Sequence, residues 1–326
     1  MASYSGERMS GAAVMGRIVR RAASTTRTEA RGGPEDSMSK ITTLEQAAAS
    51  IPNGSTVAIG GMSMNSAPMA LVRELVRQEK KDLELVAIVS GMAVDWLVAG
   101  GCVRRVVSGL VSFEGLGLAP NFRAAVQSGQ VAIEEYSEHL LVCRLQAQSH
   151  DLPFIPTKAG LGTDVLGLHA ASGTVREEKD GPTGEHYVAC TRLPVDVALV
   201  HAHEADQRGN TRVNPKLMWL DNEVVNAAGR TVVSVERTAE TATFAAEPER
   251  TTYPGFMIDL VAPAPWGAYP CSCFPDYSHD SEFFMAYSQA ARDRETFTQF
   301  FQERVVGPET WEDFLAVNSV TAGAST

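Results

Sequence analysis

Glu114 stands in Ser112-Phe113-Glu114-Gly115-Leu116-Gly117, a carboxylate inside an apolar, glycine-rich loop just beyond a strand. Burial there would raise its pKa, which is how a Glu becomes a usable base or nucleophile near neutral pH. The plainer alternative is a Glu that caps the next helix through hydrogen bonds. Three further loops follow strands and carry glycine: Gly60-Gly61-Met62-Ser63-Met64-Asn65, Ser90-Gly91-Met92 and Ala159-Gly160-Leu161-Gly162-Thr163-Asp164. Each can offer backbone N–H groups to an anion or a developing oxyanion, and each can equally be turn geometry alone.

Other chemistry is less well supported by spacing. Gly61-Met62-Ser63-Met64-Asn65 is one residue short of a Gly-x-Ser-x-Gly nucleophile elbow, although it sits correctly between strand and helix. Neither a Gly-x-Gly-x-x-Gly fingerprint at Gly60 nor a phosphate-binding Gly-x-x-x-x-Gly-Lys-Ser/Thr loop occurs, so those two cofactor folds lose support. His201 and His203 share one face of a strand, a geometry some metal sites use, but no third ligand follows at a recognisable spacing. Cys271 and Cys273 lack a second ligand pair. No metal is expected.

The elements that must carry these loops alternate. Thr43-Leu44-Glu45-Gln46 reads as a capping box opening a helix to Ile51. Thr56–Ile59 is a strand, and the helix after Pro68 puts Met69, Val72, Leu75 and Val76 on one face and closes on Lys80 and Lys81, where positive charge suits the helix dipole. Leu83–Val89 and Val103–Val107 are strands, Ala93–Ala99 and Pro120–Ser128 helices; later strands fall at Ala198–His201, Thr231–Val235 and Phe256–Val261. Continuous apolar strands between helices are buried on both faces, which predicts an α/β fold with an open, mainly parallel sheet flanked by helices. From Ser281 the pattern is helical, through Ala286–Phe301 and again after Pro308.

Among 326 residues, 28 Lys and Arg stand against 39 Asp and Glu, a net charge of −11 that repels nucleic acid and anionic membranes, so an anionic ligand must be held locally. Five cysteines form no disulfide framework and suit a reducing compartment, and the longest apolar runs fall far short of the roughly 20 residues of a membrane span. Residues 1–37, basic and rich in Ser, Thr, Ala and Gly, predict a disordered tail; the acidic Glu7, Glu29, Glu35 and Asp36 argue against a transit peptide. One α/β domain is expected over 38–326.

Five anchors in order carry a family resemblance: Ser39-Lys40-Ile41-Thr42-Thr43-Leu44, Val57–Met62 with Ala67–Leu75, Leu152–Thr157 running into Gly160–Asp164, Val197–Asn210, and Val233-Ser234-Val235-Glu236. The chain resembles the alpha subunit of family I coenzyme A transferases, especially the glutaconate type. The resemblance implies two similar α/β subunits with the active site between them. A glutamate attacks the acyl-CoA thioester, giving an anhydride, then an enzyme–CoA thioester, then transfer to the acceptor carboxylate. That glutamate belongs to the beta subunit, and its expected Ser-Glu-Asn-Gly setting is absent here, so this chain should need that partner. By the same resemblance Gly60 and Gly61 form the first loop near the acyl-CoA, Ser90 and Gly91 the second, and Gly160, Gly162 and Thr163 the third, with Glu114 facing the acyl group. Coenzyme A thioester is then a substrate, with no permanently bound cofactor, no nucleic-acid or membrane partner, and a cytoplasmic setting. At Glu114 the sequence departs from the glutaconate pattern, which has a small polar residue. An acidic residue there is similar to a related branch of two-subunit hydrolases that open a steroid-derived cyclic CoA thioester, with a glutamate of the alpha chain as general base. A third possibility is a chain that binds CoA esters without turnover.

Overall fold

The computed structural model describes residues 39–213 and 220–320. The expected tail lies outside them. Strands are β1 (Thr56–Ile59), β2 (Leu83–Ser90), β3 (Val103–Val111), β4 (Ala132–Glu135), β5 (Phe154–Thr157), β6 (Val175–Lys179), β7 (His186–Thr191), β8 (Val195–Ala205), β9 (Thr211–Arg212), β10 (Ala228–Thr238) and β11 (Leu260–Pro263). Helices are α1 (Leu44–Ala49), α2 (Met69–Arg77), α3 (Met92–Ala99), α4 (Pro120–Gln127), α5 (Glu138–Ser149), α6 (Val165–Leu168), α7 (Asp221–Ala227), α8 (Thr241–Ala246), α9 (Ser281–Ala290), α10 (Arg294–Phe301) and α11 (Trp311–Val317).

The main sheet runs β11-β10-β8-β1-β2-β3-β4, parallel throughout, with β9 added antiparallel to β8. Alternate residues enter opposite cores. Val57, Ile59, Leu85 and Leu199 pack under α1 to α4 and the C-terminal helices, while Ala58, Val86, Ala198 and Val200 pack under α5 and α7. Every residue of β2 is buried, as its unbroken apolar run requires. Each buried Val, Leu or Ile is worth about 1.5–3 kcal/mol, so these two layers supply the fold's main driving force. From β1 the chain builds outward through β2, β3 and β4, then returns to place β8 on the other side of β1. The resulting switch point lies between β1 and β8, and sheets of this kind bind ligands beyond the strand ends at such a point.

Several expectations are corrected. Thr43 Oγ1 accepts from the Gln46 N–H, but Gln46 Oε1 takes the Thr42 hydroxyl, so half the capping box forms and the helix stops at Ala49. The second helix ends at Arg77, and Lys80 donates to the Ile51 carbonyl at 2.7 Å, capping α1 instead of its own helix. The strand expected from Phe256 starts at Leu260, because residues 255–257 form a 3₁₀ turn. The helix expected across Ala286–Phe301 breaks after Ala290, where Asp293 caps α10 by accepting from Thr296 N. A second sheet, β5-β7-β6, antiparallel, was not expected at all. Pro156 in β5 and the Arg176, Glu177, Glu178 and Lys179 run of the mostly exposed β6 hide its strand pattern.

Candidate active site

Three loops meet beyond the ends of β1, β2 and β3. Gly91 approaches so closely that a Cβ there would stand 2.6 Å from the Ser112 carbonyl oxygen and 3.2 Å from that of Ser63. The Ser63 hydroxyl donates to the same Ser112 carbonyl at 3.1 Å. Ser112 Oγ in turn accepts from the Glu114 N–H. Gly60, Gly61, Ser90, Gly91 and Glu114 thus belong to one assembly of backbone.

Each of these loops reads in the sequence either as a donor site or as turn geometry alone, and their hydrogen bonds differ. In the first loop the N–H groups of Gly60, Gly61, Met62, Ser63, Asn65 and Ser66 are all donated internally, to Leu199, Asp221, Asn65, Val89, Met62 and Ser272. Those groups are therefore no anion cradle; Gly60 and Gly61 are glycines because neighbouring atoms crowd them, the Gly61 position at φ +78 lying within 2.6–2.7 Å of the Asn65–Ala67 backbone. The second loop keeps the donor role available. Gly91 starts α3 with no side-chain cap, so the N–H groups of the positive helix end are not taken up by a capping side chain. The buried Asp95 fixes α3 by accepting from Phe122 N, Asn121 Nδ2 and Tyr287 OH at 2.7–2.8 Å; burial pushes its pKa up.

Glu114 is exposed, contrary to the expected burial, and its backbone has φ +52. The loop closes on itself through Phe113 N to Gly117 O at 2.7 Å, which buries Phe113 against Phe284 and turns Glu114 outward. Nor does it cap the following helix, which Pro120 opens without a side-chain cap. Ser63 has the left-handed backbone of an elbow, φ +51, but its buried hydroxyl is committed to Ser112, and among the described residues no histidine is hydrogen-bonded to it. The third loop stands apart: Gly160 packs on Leu140 and Leu166, and Thr163 bonds back to the Gly160 carbonyl, linking it to α5 and α6.

Beneath the first loop lies a polar cluster that sequence reading only partly found. Asp221 Oδ1 accepts from Gly61 N at 2.7 Å. His201 places Nε2 2.7 Å from Glu236 Oε1 and Nδ1 2.8 Å from Ser234 Oγ. Glu236 also accepts from Tyr277 OH and from the N–H groups of Trp266 and Gly267. Burial pulls its pKa up, but His201, Tyr277 and Trp266 outweigh that and hold it below the usual range. His201, Glu236 and Cys273 have ligand atoms within 4.8 Å of one another, yet Glu236 is already satisfied by four donors and burial pushes the Cys273 thiol well up. The group is better suited to a hydrogen-bonded brace than to a metal. His203 Nε2 lies 2.9 Å from the Phe274 carbonyl, and burial lowers its pKa. Asp221 had one faint signal, an acidic residue in a helix's first turn, which reads as ordinary capping.

Residues 41–264 match the family described as Coenzyme A transferase. The chain belongs to the coenzyme A transferase family. A glutaconate CoA-transferase chain of Acidaminococcus fermentans is 28% identical over 297 residues, 85% of this chain and 91% of the relative. The crystal structure of glutaconate CoA-transferase from that organism superposes with a TM-score of 0.81 at 26% identity, covering 87% of this chain and 93% of that one, which bears out the open parallel α/β sheet. A cholesterol ring-cleaving hydrolase IpdA subunit of Mycobacterium tuberculosis is 33% identical over 276 residues, 83% of this chain and 94% of the relative. The structure of the decarboxylase AibA/AibB gives a TM-score of 0.69 at 35% identity, over 81% of this chain and all of that one. An uncharacterized protein of Archaeoglobus fulgidus is also 33% identical, and the chain spans 59% of its length. Among the described residues no helix is long and apolar enough to cross a membrane.

Proposed function

We propose that the chain is the alpha subunit of a heteromeric CoA-transferase that moves CoA between an acyl-CoA and a carboxylic acid, the reactive glutamate coming from a beta subunit. The observation that carries this is the convergence of the Gly60–Met64, Ser90–Met92 and Ser112–Gly117 backbones beside the switch point of a coenzyme A transferase fold. Ser63, Cys271 and Cys273 are buried, so none is a ready nucleophile, while Glu114 stands exposed on the rim where a second chain would meet it. In this mechanism the rim holds the thioester, the uncapped N-terminus of α3 faces developing negative charge, and Glu114 faces the acyl group. Gly160, Gly162 and Thr163 lie on a separate loop over α5 and serve, in this reading, the more distant part of the CoA ester. The substrates are CoA esters and carboxylates, with no resident cofactor. Free, buried cysteines suit a reducing, cytoplasmic setting.

A second reading, a hydrolase with Glu114 as general base, is favoured by the left-handed backbone at that residue, a strained position of the kind active sites retain. Glu114→Gln separates the two. The chain is co-purified with its beta-type partner, given either acetyl-CoA with dicarboxylate acceptors or a CoA thioester of a cyclic ketone acid, and trapped with hydroxylamine before mass spectrometry of both chains. For the transferase, an adduct forms on the partner and persists in the variant with a modest loss of rate. For the hydrolase, no adduct forms in the unmutated complex, and loss of the base lowers hydrolysis by about 10²–10⁴.

A further inference from the structure

Asp221 is 4% exposed, and no cationic side chain is hydrogen-bonded to it among the described residues. Its acceptor duty is toward backbone: Gly61 N at 2.7 Å, from a residue 160 positions earlier in the chain. The same oxygen occupies the space a Gly60 side chain would need, since a Cβ built there falls 2.2 Å from Oδ1. Val200 Cγ1, at 2.8 Å from that point, closes the other side. Gly60 N meanwhile bonds to Leu199 O at 2.8 Å. The first two residues after β1 are therefore clamped between β8 and the first residue of α7, at the switch point of the sheet. Among the described residues the charge acting on this carboxylate is that of His201, itself paired with Glu236; a buried carboxylate so weakly compensated is costly, and an uncharged residue of similar size would be cheaper for folding alone.

We propose that Asp221 is a positioning residue: its carboxylate fastens the Gly60–Gly61 turn and thereby sets the backbone from Gly60 to Met64 against which the acyl thioester is held. This rests on the reading that the first loop faces the CoA ester. Removing the acceptor frees the Gly61 N–H and opens the space behind Gly60, so the loop can withdraw from Ser112 and Gly91, which it touches through Ser63. Displacements of about 1 Å in a reacting assembly cost on the order of 10² in rate.

The test compares Asp221→Asn, which keeps an oxygen acceptor without the charge, with Asp221→Ala, which removes it. Both are measured as the complex with the beta-type partner, using acetyl-CoA turnover and hydrogen exchange of the peptide covering residues 58–66. The Ala variant should lose about 100-fold in kcat and exchange faster at Gly61. The Asn variant should stay within about tenfold of the parent, the scale of trading a charge-assisted hydrogen bond for a neutral one, with exchange still slow. Should the Ala variant not fold, Gly60→Ala pushes the same contact from the loop side and should give the same two effects. Parent-like rate and exchange in the Ala variant overturn the proposal; so does an Asn variant that falls as far as Ala, because the acceptor would then not be what matters. If the unmutated complex turns over no CoA ester, the functional reading fails, and exchange at Gly61 still decides whether Asp221 holds the loop.

Discussion

Gly91→Ala should damage the protein in a way that Gly115→Ala, in the loop of Glu114 itself, does not. A Cβ at Gly91 would lie 2.6 Å from the Ser112 carbonyl oxygen, whereas ordinary contact begins near 3.4 Å, so backbone must yield by about 0.8 Å. Neither side is free to give: Ser112 N bonds to Ser90 O, and Ser63 N bonds to Val89 O. The Gly91 backbone, φ −150 and ψ −107, also lies outside the regions that residues with a Cβ favour. Overpacking costs about 1–3 kcal/mol and the backbone conformation a further 1–3, so about 2–6 kcal/mol in all. For a domain of this size that lowers Tm by about 3–10 °C. Gly115 has nothing within 4 Å of its added Cβ and should be neutral. Thermal melts of the chain and acetyl-CoA turnover of the complex read both effects, and turnover of the Gly91 variant should fall on the order of 100-fold as the loops part. A Gly91 variant that melts and turns over like the parent, or a Gly115 variant equally damaged, would refute the idea that close backbone approach selects this glycine.

Arg73 in α2 donates from Nε to the Val305 carbonyl at 2.7 Å and also to the Pro308 carbonyl, beneath the Phe314 ring, with burial lowering its pKa to about 10. Arg73→Ala leaves two acceptors unpaired at about 1–3 kcal/mol each, and residues 301–317 should become the first region to exchange or be cleaved by protease. Asp221 supplies a pH effect: burial raises its pKa from an ordinary 3.8 to about 6, against hydrogen bonds from Gly61 and the charge of His201 on β8. Tyr253 also faces this carboxylate and feels the charge of Glu223 as well. A folded pKa above the unfolded one means that Asp221's own contribution to stability is most favourable below about pH 4 and falls by about 3 kcal/mol as pH rises to about 6, then levels. Asp221→Asn should lack that fall, so a difference between the two urea midpoints that stays flat over this range would contradict it.

The parallel sheet was legible because Leu83–Val89 and Val197–Val200 are buried on both faces and so show unbroken apolar runs. The β5-β7-β6 sheet was not, since β6 exposes Arg176 and Glu177 and the pattern of a half-buried strand disappears. Glycines after strands marked the right places, but their reason is tertiary: Gly60 is constrained by Asp221, and Gly91 by Ser112. The apolar letters around Glu114 leave burial and helix capping both open; the structure shows neither, because Phe113 takes the interior and its neighbour is forced out. Asp221 carries no local motif, because its partner lies 160 residues away and only the return of β8 beside β1 brings them together.

Backbone strain marks the same rim independently of any motif. Of the residues with left-handed backbones and a side chain, Ser63, Ser66, Glu114 and Trp266 belong to the segments that follow β1, β3 and β11. Ser63 N bonds to Val89 O, Ser66 N to Ser272 O at 2.7 Å, and Trp266 N to Glu236 Oε2 at the same distance, so these three are held by neighbouring segments, while Glu114 is held within its own loop by Ser112 Oγ. Such positions cost of order 1–3 kcal/mol each and persist only where surroundings over-determine them. Those surroundings are the two cores on either face of the sheet, which meet the cost through burial that involves no rim residue's chemistry. A change deep in β2 should therefore lower stability while leaving rim geometry intact until the chain unfolds, whereas a change at Gly91 or Asp221 disturbs the rim directly. The strand ends of this fold are where stability made in the cores is spent on holding backbone in conformations it would not otherwise adopt.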